Sequence, residues 1–545
     1  MSFDETFDVV VLGSGAAGAS AAVAAATQGQ RVLLLEKADV FGGGTTYSYG
    51  AIWLAIDPYR DTPATDEEIE AAVDYVSFLS ARLLPRAEVR RFVRRALWAM
   101  RQLRSHGVEI EPSTRVPDHY FPIAPGSLSS GHTFAARLFR TADLGPLAEA
   151  LGRSPYVPTG LTWDEAIAWG GMTDDEGWDH ALLKKRREDG DHRGFGMALA
   201  GRLLHACQQA GVTIRGKTGG RSLIVENGRV IGVVAEGTGT GAGRRIAATR
   251  GVVIASGGIE GNHDFVMKHE DLPAWHTHFP PTVTGDGLLM ALDIGAALLR
   301  APHNLRVMLG YKLGVPEGGR WFRSSGVREA SAPHTLIVNF RGERFGDESS
   351  FQYMVNEIKK FDVATHSFVN YPCFLVMDDQ FFQRYSFAGR PKGAPAPGWL
   401  TRADTLAGLA AALGIEPERF EATVAEFNGY AAAGEDKRFG RGEAPFANVM
   451  GGTRKAGNRN LGEVSSAPFY GVPLVPTGIC SSSLEITGDG AVLDNHGNTI
   501  AGLYACGNAA HDIDGGPGYQ AGMSHAQGIA MGYTIGTLLG GGTID

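Results

Sequence analysis

Cysteine is scarce in this chain of 545 residues. The four cysteines, Cys207, Cys373, Cys480 and Cys506, lie far apart and form no disulfide framework, haem-attachment motif or paired metal motif. Single, widely spaced cysteines are typical of proteins from a reducing compartment. We therefore expect a cytoplasmic protein.

Targeting segments and an excess of positive charge are also missing. The first five residues, MSFDE, are acidic and lack the charged and apolar regions of a signal peptide. No apolar run approaches the length of a membrane span, so we expect no transmembrane segment. The formal net charge of −9 disfavours a nucleic-acid partner. Glycine, in contrast, is abundant at 75 residues, which favours tight turns and close approach of the backbone to a ligand.

A glycine-rich motif lies between two apolar runs near the start of the chain. Residues 8–12 predict a buried strand, GSGAAG follows at residues 13–18, and an alanine-rich segment to about Gln28 predicts a helix. A second apolar run, residues 32–35, ends at Glu36. Strand, glycine turn, helix, strand and acid occur in the order typical of a dinucleotide-binding unit.

The chemistry of such a unit gives a role to each of its glycines and to its acid. Gly13 permits a tight turn, Gly15 lets the backbone approach a pyrophosphate, and Gly18 lets the helix pack closely on the strand. The helix N-terminus directs its free N–H groups at the phosphates. Glu36 would accept hydrogen bonds from a ribose. We predict a dinucleotide cofactor; the alternative is a strand–helix unit that binds none.

Later apolar segments predict one sheet assembled from distant parts of the chain. Residues 212–215, 222–225 and 230–234 have the pattern of a strand meander. Residues 251–258 and 502–508 are further apolar strands that end in glycines, and we expect both to join the sheet of the first unit. The other expectations are helices over residues 65–110, 194–210 and about 522–538, glycine-rich or long loops over 41–46 and 111–160, and a separate inserted domain over 280–450.

These separated segments resemble the FAD-dependent flavoproteins grouped with fumarate reductase and the 3-ketosteroid dehydrogenases. The resemblance is carried by residues 10–36, 42–53, 284–287, 341–348 and 502–532. It implies an α/β fold, with a glutathione-reductase-type Rossmann FAD domain and an inserted α+β substrate-capping domain. The implied division is an FAD-binding domain in residues 1–280 with a helical and loop segment at 60–190, a cap in 281–450, and the C-terminal part of the FAD domain in 451–545.

The resemblance also implies the cofactor and its contacts. FAD is expected to be noncovalent, because no histidine occurs in the Gly42–Gly50 loop where covalent members attach flavin. No second dinucleotide fingerprint appears, so electrons are expected to pass to or from an external carrier. The residues expected to contact FAD are Gly13, Gly15, Ala16, Ala17, Gly18, Glu36, Lys37, Gly43, Gly44, Thr45, Thr46, Gly50, Ala255, Gly257, Gly258, Gly507, Asn508 and Gly522.

Two branches of the family are distinguished by their polar residues. Fumarate reductases use an arginine that closely follows the element here at residues 345–348, but residues 349–353 contain none. A dicarboxylate needs paired cations, so its reduction is disfavoured. The ketosteroid dehydrogenases use tyrosines, and Tyr120, Tyr353 and Tyr519 occur at similar places. Ala521 replaces a serine of the Gly-Tyr-x-Ser-Gly motif in the Δ4-type enzymes.

The expected reaction introduces a double bond beside the carbonyl of a cyclic ketone, either a 3-oxosteroid or a smaller ring. The backbone N–H of Gly522, at a helix start, suits polarisation of the carbonyl. Tyr519 would add a hydrogen bond or remove the proton, with Tyr120 or Tyr353 stabilising its phenolate. His525 is expected to pack against FAD or the sheet. The alternatives are an FAD-dependent ene-reductase of the fumarate or urocanate type and a non-catalytic flavoprotein.

Overall fold

The computed structural model describes residues 2–155, 157–171, 177–237, 243–301, 304–313, 322–324, 328–452, 457–510 and 518–544. The strands in chain order are β1 Glu5–Leu12, β2 Val32–Leu35, β3 Ala51–Trp53, β4 Ile110–Pro112, β5 Thr133–Ala136, β6 Phe139–Arg140, β7 His192–Arg193, β8 Thr213–Arg215, β9 Thr218–Glu226, β10 Arg229–Gly237, β11 Gly243–Ile254, β12 Leu298–Arg300, β13 Val307–Lys312, β14 Phe322–Ser324, β15 Thr335–Asn339, β16 Phe361–Asp362, β17 Ser367–Phe368, β18 Cys373–Asp378, β19 Thr401–Ala403, β20 Phe469–Gly478, β21 Ser482–Leu484, β22 Ala491–Leu493 and β23 Thr499–Ala505. The α-helices are α1 Ala16–Thr27, α2 Gly43–Tyr47, α3 Asp66–Leu79, α4 Arg86–Arg104, α5 Trp163–Ala168, α6 His180–Glu188, α7 Phe195–Gln209, α8 His263–His269, α9 Asp286–Leu292, α10 Phe351–Ile358, α11 Asp379–Arg384, α12 Leu406–Leu413, α13 Pro417–Ala433, α14 Pro445–Met450 and α15 Met523–Gly540.

The first sheet joins strands from both ends of the chain, as the sequence predicts. Its order is β22-β23-β10-β11-β1-β2-β8, with β9 paired to β10. Strand β1 lies parallel to both β11 and β2, and β23 is parallel to β11. The meander of β9, β10 and β11 is antiparallel. The carboxyl ends of β1, β2, β11 and β23 therefore meet at one edge, where ligands bind in open parallel sheets.

Both faces of this sheet are covered, which explains why its central strands are apolar throughout. Val9 and Val11 belong to the core that includes α1, α7 and α15. Val10 and Leu12 point the other way, into a core that includes Leu288 of α9. Successive side chains of a strand alternate between faces, so one apolar run serves two layers. A mixed α/β fold is thus confirmed.

Helices α1 and α15 approach each other unusually closely. The cause is a row of glycines on α15: Gly528, Gly532 and Gly536. A Cβ at Gly532 would lie 2.2 Å from the carbonyl oxygen of Ala17, so only glycine fits this separation. The contact holds the middle of α15, at Gly532, against the first turn of α1, at Ala17.

A second sheet forms the core of the other unit. Its order is β14-β13-β20-β18-β15, with β19 paired to β20. Strand β20 pairs with both β13 and β18, although it lies beyond residue 450. The sheet therefore combines segments from both sides of that predicted boundary. Buried apolar clusters cover its two faces, with α10 and α11 contributing to one and α12 and α13 to the other.

The segment at residues 341–348 has a structural role in this unit. Arg344 donates from Nε to Glu348 Oε1 at 2.6 Å and from Nη2 to Asp436 Oδ2 at 2.7 Å, and all three side chains are buried. A buried charge is tolerated when it is paired and hydrogen-bonded in this way. The ion pairs fix the link from β15 to α10, and α10 begins at Phe351.

Two predictions of irregular loops are wrong. The glycine-rich stretch at 41–46 passes into α2, because Gly42 takes a left-handed conformation (φ 101°) that turns the chain into the helix. The stretch 111–160 contains β5 and β6, and β5 pairs with both β3 and β4. These pairings join distant segments, which local composition does not reveal. Within the described ranges, no helix is both long and apolar enough to cross a membrane.

Candidate active site

A cavity of about 320 Å³ opens at the carboxyl edge of the first sheet. Its wall combines residues from both units of the molecule. The glycine motif after β1, the end of β11 and the first turn of α15 contribute from the first unit. Met308, Arg328, Phe351 and Phe446 contribute from the segments around the second sheet.

Two glycines of the motif, Gly13 and Gly18, pack so closely against neighbouring backbone that no side chain fits. Gly13 has a φ of 112°, and a Cβ there would lie 2.3 Å from the carbonyl oxygen of Ala255. A Cβ at Gly18 would lie 2.0 Å from the carbonyl oxygen of Gly13. At Gly15, in contrast, a Cβ would make only ordinary van der Waals contacts, the nearest of them with Thr45 Oγ1 at 3.7 Å. Gly15, Ala16 and Ala17 at the start of α1 line the cavity with small residues, and the Ala16 N–H donates to Thr45 Oγ1 at 3.0 Å. A helix N-terminus of this kind suits an anionic phosphate group.

Glu36 is held at the end of β2 by three donors. Its Oε2 accepts from the backbone N–H of Ser14 at 3.2 Å and from the Ser14 hydroxyl at 2.6 Å. Its Oε1 accepts from the backbone N–H of Ala38 at 2.9 Å. An ionised carboxylate offers about four acceptor positions, so capacity remains for a ribose hydroxyl. Glu36 lies on the cavity wall and is fixed in orientation before a ligand arrives.

Most residues expected to contact a cofactor lie on this one wall. The exceptions are Gly18, which packs against Gly13, and Thr46, whose hydroxyl donates to the Gly43 carbonyl at 2.9 Å. Thr46 therefore points away from the cavity. The expected residues on the wall are Gly13, Gly15, Ala16, Ala17, Glu36, Lys37, Gly43, Gly44, Thr45, Gly50, Ala255, Gly257, Gly258, Gly507, Asn508 and Gly522.

Aromatic side chains form the part of the wall where the two units meet. The ring of Tyr519 lies 5.4 Å from the rings of both His119 and Phe351, measured between centroids. His119 also packs on Phe446 with its ring centroid 3.6 Å away. Tyr49 lies 5.1 Å from Trp163 on the same wall. A planar, largely apolar ligand fits such a surface.

Gly522 begins the last helix at the same wall. Its φ is 88°, and a Cβ there would lie 2.6 Å from the backbone nitrogen of Trp53. Its carbonyl oxygen accepts from that Trp53 N–H at 3.2 Å. Among the described residues no acceptor bonds its own N–H, which remains available to a ligand. The N–H lies at the positive end of the α15 dipole.

His119 is a site residue that the sequence reasoning did not select. It is buried, and burial lowers the pKa of its imidazole to about 3, so the ring is neutral at physiological pH. Its Nε2 accepts from the backbone N–H of Ala521 at 3.3 Å. Its Nδ1 contacts the side-chain amide nitrogen of Gln352. The sequence identifies the loop but selects Tyr120, whereas the neighbouring His119 is the residue on the cavity wall.

A buried polar network holds the His119 loop in place. Asp118 accepts from Trp53 Nε1 at 3.2 Å and from the Leu128 N–H at 2.8 Å, and it pairs with His132 Nδ1 at 2.7 Å. In the sequence, the sign of this network is Asp118, an acid that precedes the aromatic residues of the loop.

A second part of the network ties this loop to the segment before α15. The side-chain oxygen of Gln520 accepts from the Tyr75 hydroxyl at 2.5 Å and from the His119 N–H at 2.9 Å. Gln520 is itself buried. Helix α3, the His119 loop and the start of α15 are thus fixed relative to one another.

The other two predicted catalytic tyrosines lie off the cavity wall. Tyr120 is half-buried against Phe78, and burial raises the pKa of its phenol to about 12 although the Tyr519 backbone hydrogen-bonds to it. Tyr353 is 45% exposed on α10. Of the three tyrosines, Tyr519 is the one on the wall.

Two histidines and one arginine complete the wall. His525 Nδ1 donates to the Ala51 carbonyl at 2.8 Å, and its Nε2 lies 3.5 Å from Ser48 Oγ. His278 Nδ1 lies 2.8 Å from Thr477 Oγ1, and burial lowers its pKa to about 4. Arg328 donates from Nη2 to Ser386 Oγ at 3.2 Å. Sequence reasoning missed Arg328 because it searched for an arginine after residue 348.

The chain belongs to the FAD binding domain family, whose model matches residues 8–522. FAD as the cofactor is thereby confirmed, and the fit of the glycine motif and Glu36 agrees with it. The chain is 33% identical to 4-oxocyclohexanecarboxylate 2-dehydrogenase of Sinomonas cyclohexanicum, over 98% of this chain and 93% of that protein. It is 31% identical to 3-oxosteroid 1-dehydrogenase of Mycobacterium tuberculosis, over 94% of this chain and 95% of that protein.

A solved structure of a ketosteroid dehydrogenase is also similar to this chain. The 3-ketosteroid delta1-dehydrogenase of Sterolibacterium denitrificans, in complex with 1,4-androstadiene-3,17-dione, matches with a TM-score of 0.88 and 26% identity. The match covers 98% of this chain and 100% of that chain. The resemblance to the ketosteroid dehydrogenase branch is therefore confirmed.

Proposed function

We propose that this protein is an FAD-dependent dehydrogenase that introduces a C=C bond next to the carbonyl of a cyclic ketone. One observation carries the proposal: the wall of a single cavity includes both the dinucleotide motif and the Tyr519–Gly522 segment. The relatives named above act, by their names, on two kinds of ring ketone: steroids and a cyclohexanone acid. A flavin oxidoreductase acting on CH–CH groups is the activity common to them.

We propose a place in the cavity for each part of FAD, supported by the residues on the wall. Backbone N–H groups at the start of α1 would hold the pyrophosphate, and Glu36 would bind the adenosine ribose. The remaining expected residues, from Gly43 to Asn508, would surround the ribityl chain and flavin. We propose noncovalent binding, because the ring nitrogens of His525 already face Ala51 and Ser48. The external electron acceptor is part of the same proposal.

The two sheets support the proposed domain division. The sheet containing β1, β2, β11 and β23 would be the Rossmann-type FAD domain of residues 1–280 and 451–545. The sheet around β13, β15 and β18 would be the inserted cap of residues 281–450, with β20 added to it from beyond the boundary. The cavity would then be closed by the cap.

The chain's own groups would activate the ketone. The Gly522 N–H would donate to the substrate carbonyl, which makes the neighbouring C–H acidic. Tyr519 would take that proton, and the dipole of α15 would favour its phenolate. Bound FAD supplies the acceptor for the hydride from the next carbon. Tyr120, which contacts the Tyr519 backbone, would hold that loop, and Tyr353 stays a predicted participant.

Anaerobic flavin reduction tests the proposal. Holo-protein mixed with a saturated ring ketone should lose its oxidised flavin absorbance and release the enone, which mass spectrometry identifies by the loss of two hydrogens. Tyr519→Phe should slow the reduction by about 100-fold or more, the usual contribution of a positioned acid or base. Tyr430→Phe is the matched control, since that hydroxyl bonds Glu426 on the exposed face of α13.

Three outcomes separate the candidates. If no ketone reduces the flavin while fumarate-like acids reoxidise the reduced protein, the protein is an ene-reductase and the proposal fails. If neither class reacts, a non-catalytic flavoprotein is favoured. If the flavin of Tyr519→Phe is reduced at the wild-type rate, Tyr519 does not remove the proton, although the protein still desaturates the ketone.

A further inference from the structure

Arg328 stands out on the cavity wall because its charge has no counter-ion in the part of the chain that the structure describes. Among the described residues no carboxylate lies within ion-pair distance of its guanidinium, and the Ser386 hydroxyl is its hydrogen-bond acceptor. Its Nε is buried and has no partner in the described part of the chain. A buried donor left without an acceptor is costly, and more so on a charged group. An arginine placed in this way is completed by an anion.

The position of Arg328 limits which anion this is. The phosphates of FAD belong at the start of α1, on the first unit. Arg328 precedes β15 in the second unit, where the wall is otherwise formed by Met308, Phe351 and Phe446. An anion at Arg328 therefore arrives with the substrate and not with the cofactor.

The other cation on the described wall is already neutralised. Lys37 Nζ lies 2.6 Å from Asp286 Oδ2 and 2.7 Å from Thr284 Oγ1. The described wall thus offers one positive group without a counter-ion, which matches one carboxylate. A dicarboxylate would leave its second charge without a partner, and a neutral steroid would leave the guanidinium unsatisfied.

We infer that Arg328 binds a carboxylate on the substrate, so that the preferred substrate is a small ring ketone bearing one carboxylate. This inference rests on the proposed function. Of the two kinds of ring ketone, steroids and cyclohexanone acids, it selects the second. The guanidinium would donate Nε–H and an Nη–H to the two carboxylate oxygens, a geometry that suits arginine better than lysine. The carboxylate would orient the ring so that its ketone points toward Gly522.

The test compares an acid with its neutral ester in otherwise identical holo-protein. The substrates are 4-oxocyclohexanecarboxylate and its methyl ester, and the readout is the rate of anaerobic flavin reduction as a function of concentration. The variants are Arg328→Gln, Arg328→Lys and Arg402→Gln. The last removes one positive charge from the same unit at a site outside the cavity, where Arg402 pairs with exposed Asp404.

The expected result is a change in specificity. Wild type should favour the acid in kcat/KM, and Arg328→Gln should lower the value for the acid by about 10- to 100-fold, as for other charged hydrogen bonds. The ester should change by less than about threefold, so that the preference disappears. Arg328→Lys should keep part of the preference for the acid, and Arg402→Gln should have the kcat/KM values of wild type for both substrates. FAD content should be equal in all four proteins.

A binding measurement keeps this inference separate from the proposed function. Titration with 4-hydroxybenzoate and 4-hydroxybenzamide, followed by the flavin spectrum, needs no turnover. Tighter binding of the acid in wild type but not in Arg328→Gln supports the carboxylate site even if no ketone is oxidised. Equal binding of acid and amide by wild type overturns it, as does an equal loss of both in the variant. Loss of FAD from Arg328→Gln alone would also overturn it, because the anion would then belong to the cofactor.

Discussion

Replacing Gly532 by alanine should destabilise the protein, whereas the same replacement at Gly429 should stabilise it. Both glycines lie inside helices, α15 and α13 respectively, where alanine is favoured over glycine by about 0.5–1 kcal/mol. At Gly429 nothing lies within 4 Å of the new methyl group, so the full gain is expected. The two substitutions are thus chemically identical and differ in what surrounds them.

At Gly532 the methyl group would lie 2.2 Å from the Ala17 carbonyl oxygen, and a further contact would lie 3.3 Å away at the Ala21 nitrogen. The first distance is short of ordinary contact by about 1 Å, and the atom it meets belongs to the backbone of α1. Over-packing of this kind costs about 1–3 kcal/mol. After the helix gain is subtracted, Gly532→Ala should lower the free energy of unfolding by about 0.5–2.5 kcal/mol.

Urea unfolding of the holo-proteins, followed by circular dichroism and by flavin fluorescence, measures this difference. Gly532→Ala should have a lower midpoint than wild type and Gly429→Ala a slightly higher one. Since α15 begins at the cavity, Gly532→Ala should also bind FAD more weakly, whereas Gly429→Ala should not. A midpoint for Gly532→Ala equal to or above wild type would refute the close approach of α1 and α15.

Three other predictions follow from single groups. Burial holds the pKa of His119 at about 3, below its unfolded value near 6.5. Protons then bind preferentially to the unfolded chain as the pH falls from 6.5 toward 3, so unfolding free energy should decline over that window, and less steeply in His119→Gln. Glu36→Gln should weaken FAD binding by about tenfold in a fluorescence titration, because an amide cannot accept from all three donors on Ser14 and Ala38. The control, Glu5→Gln at a partly exposed ion pair, should bind FAD as wild type does. All four cysteines are buried and burial raises the pKa of Cys207 to about 12, so a thiol reagent should label them only after denaturation; rapid labelling of the native protein would contradict this.

The central sheet was predictable because its signals are local. The run at residues 8–12 and the helix after it carry their own apolar pattern and glycine turn, and the strands near 252 and 503 repeat that pattern. The antiparallel extension of β11 back to Gly243 was less visible, since its outer part carries Arg244 and Arg245. A half-exposed strand with charged residues resembles a turn when its partner is not known.

The substrate side of the cavity was less predictable for a geometric reason. Tyr519 was found because it stands in a glycine segment before a helix. His119 and Arg328 were not, because their places depend on contacts with Gln352 and Ser386, more than 50 residues away along the chain. Spacing in sequence identifies groups on one element, whereas this wall is assembled from several elements whose relative positions are set by packing.

The pairing of α1 with α15 has a consequence for biosynthesis. Helix α1 leaves the ribosome before α15, the helix that covers it, and most of the described chain is synthesised between the two. Until then the apolar face of α1 and the edge of the first sheet lack their final neighbours, and exposed surface of this kind favours aggregation and chaperone binding. Capture of FAD should therefore be a late event, and nascent chains stalled before residue 523 should retain no flavin.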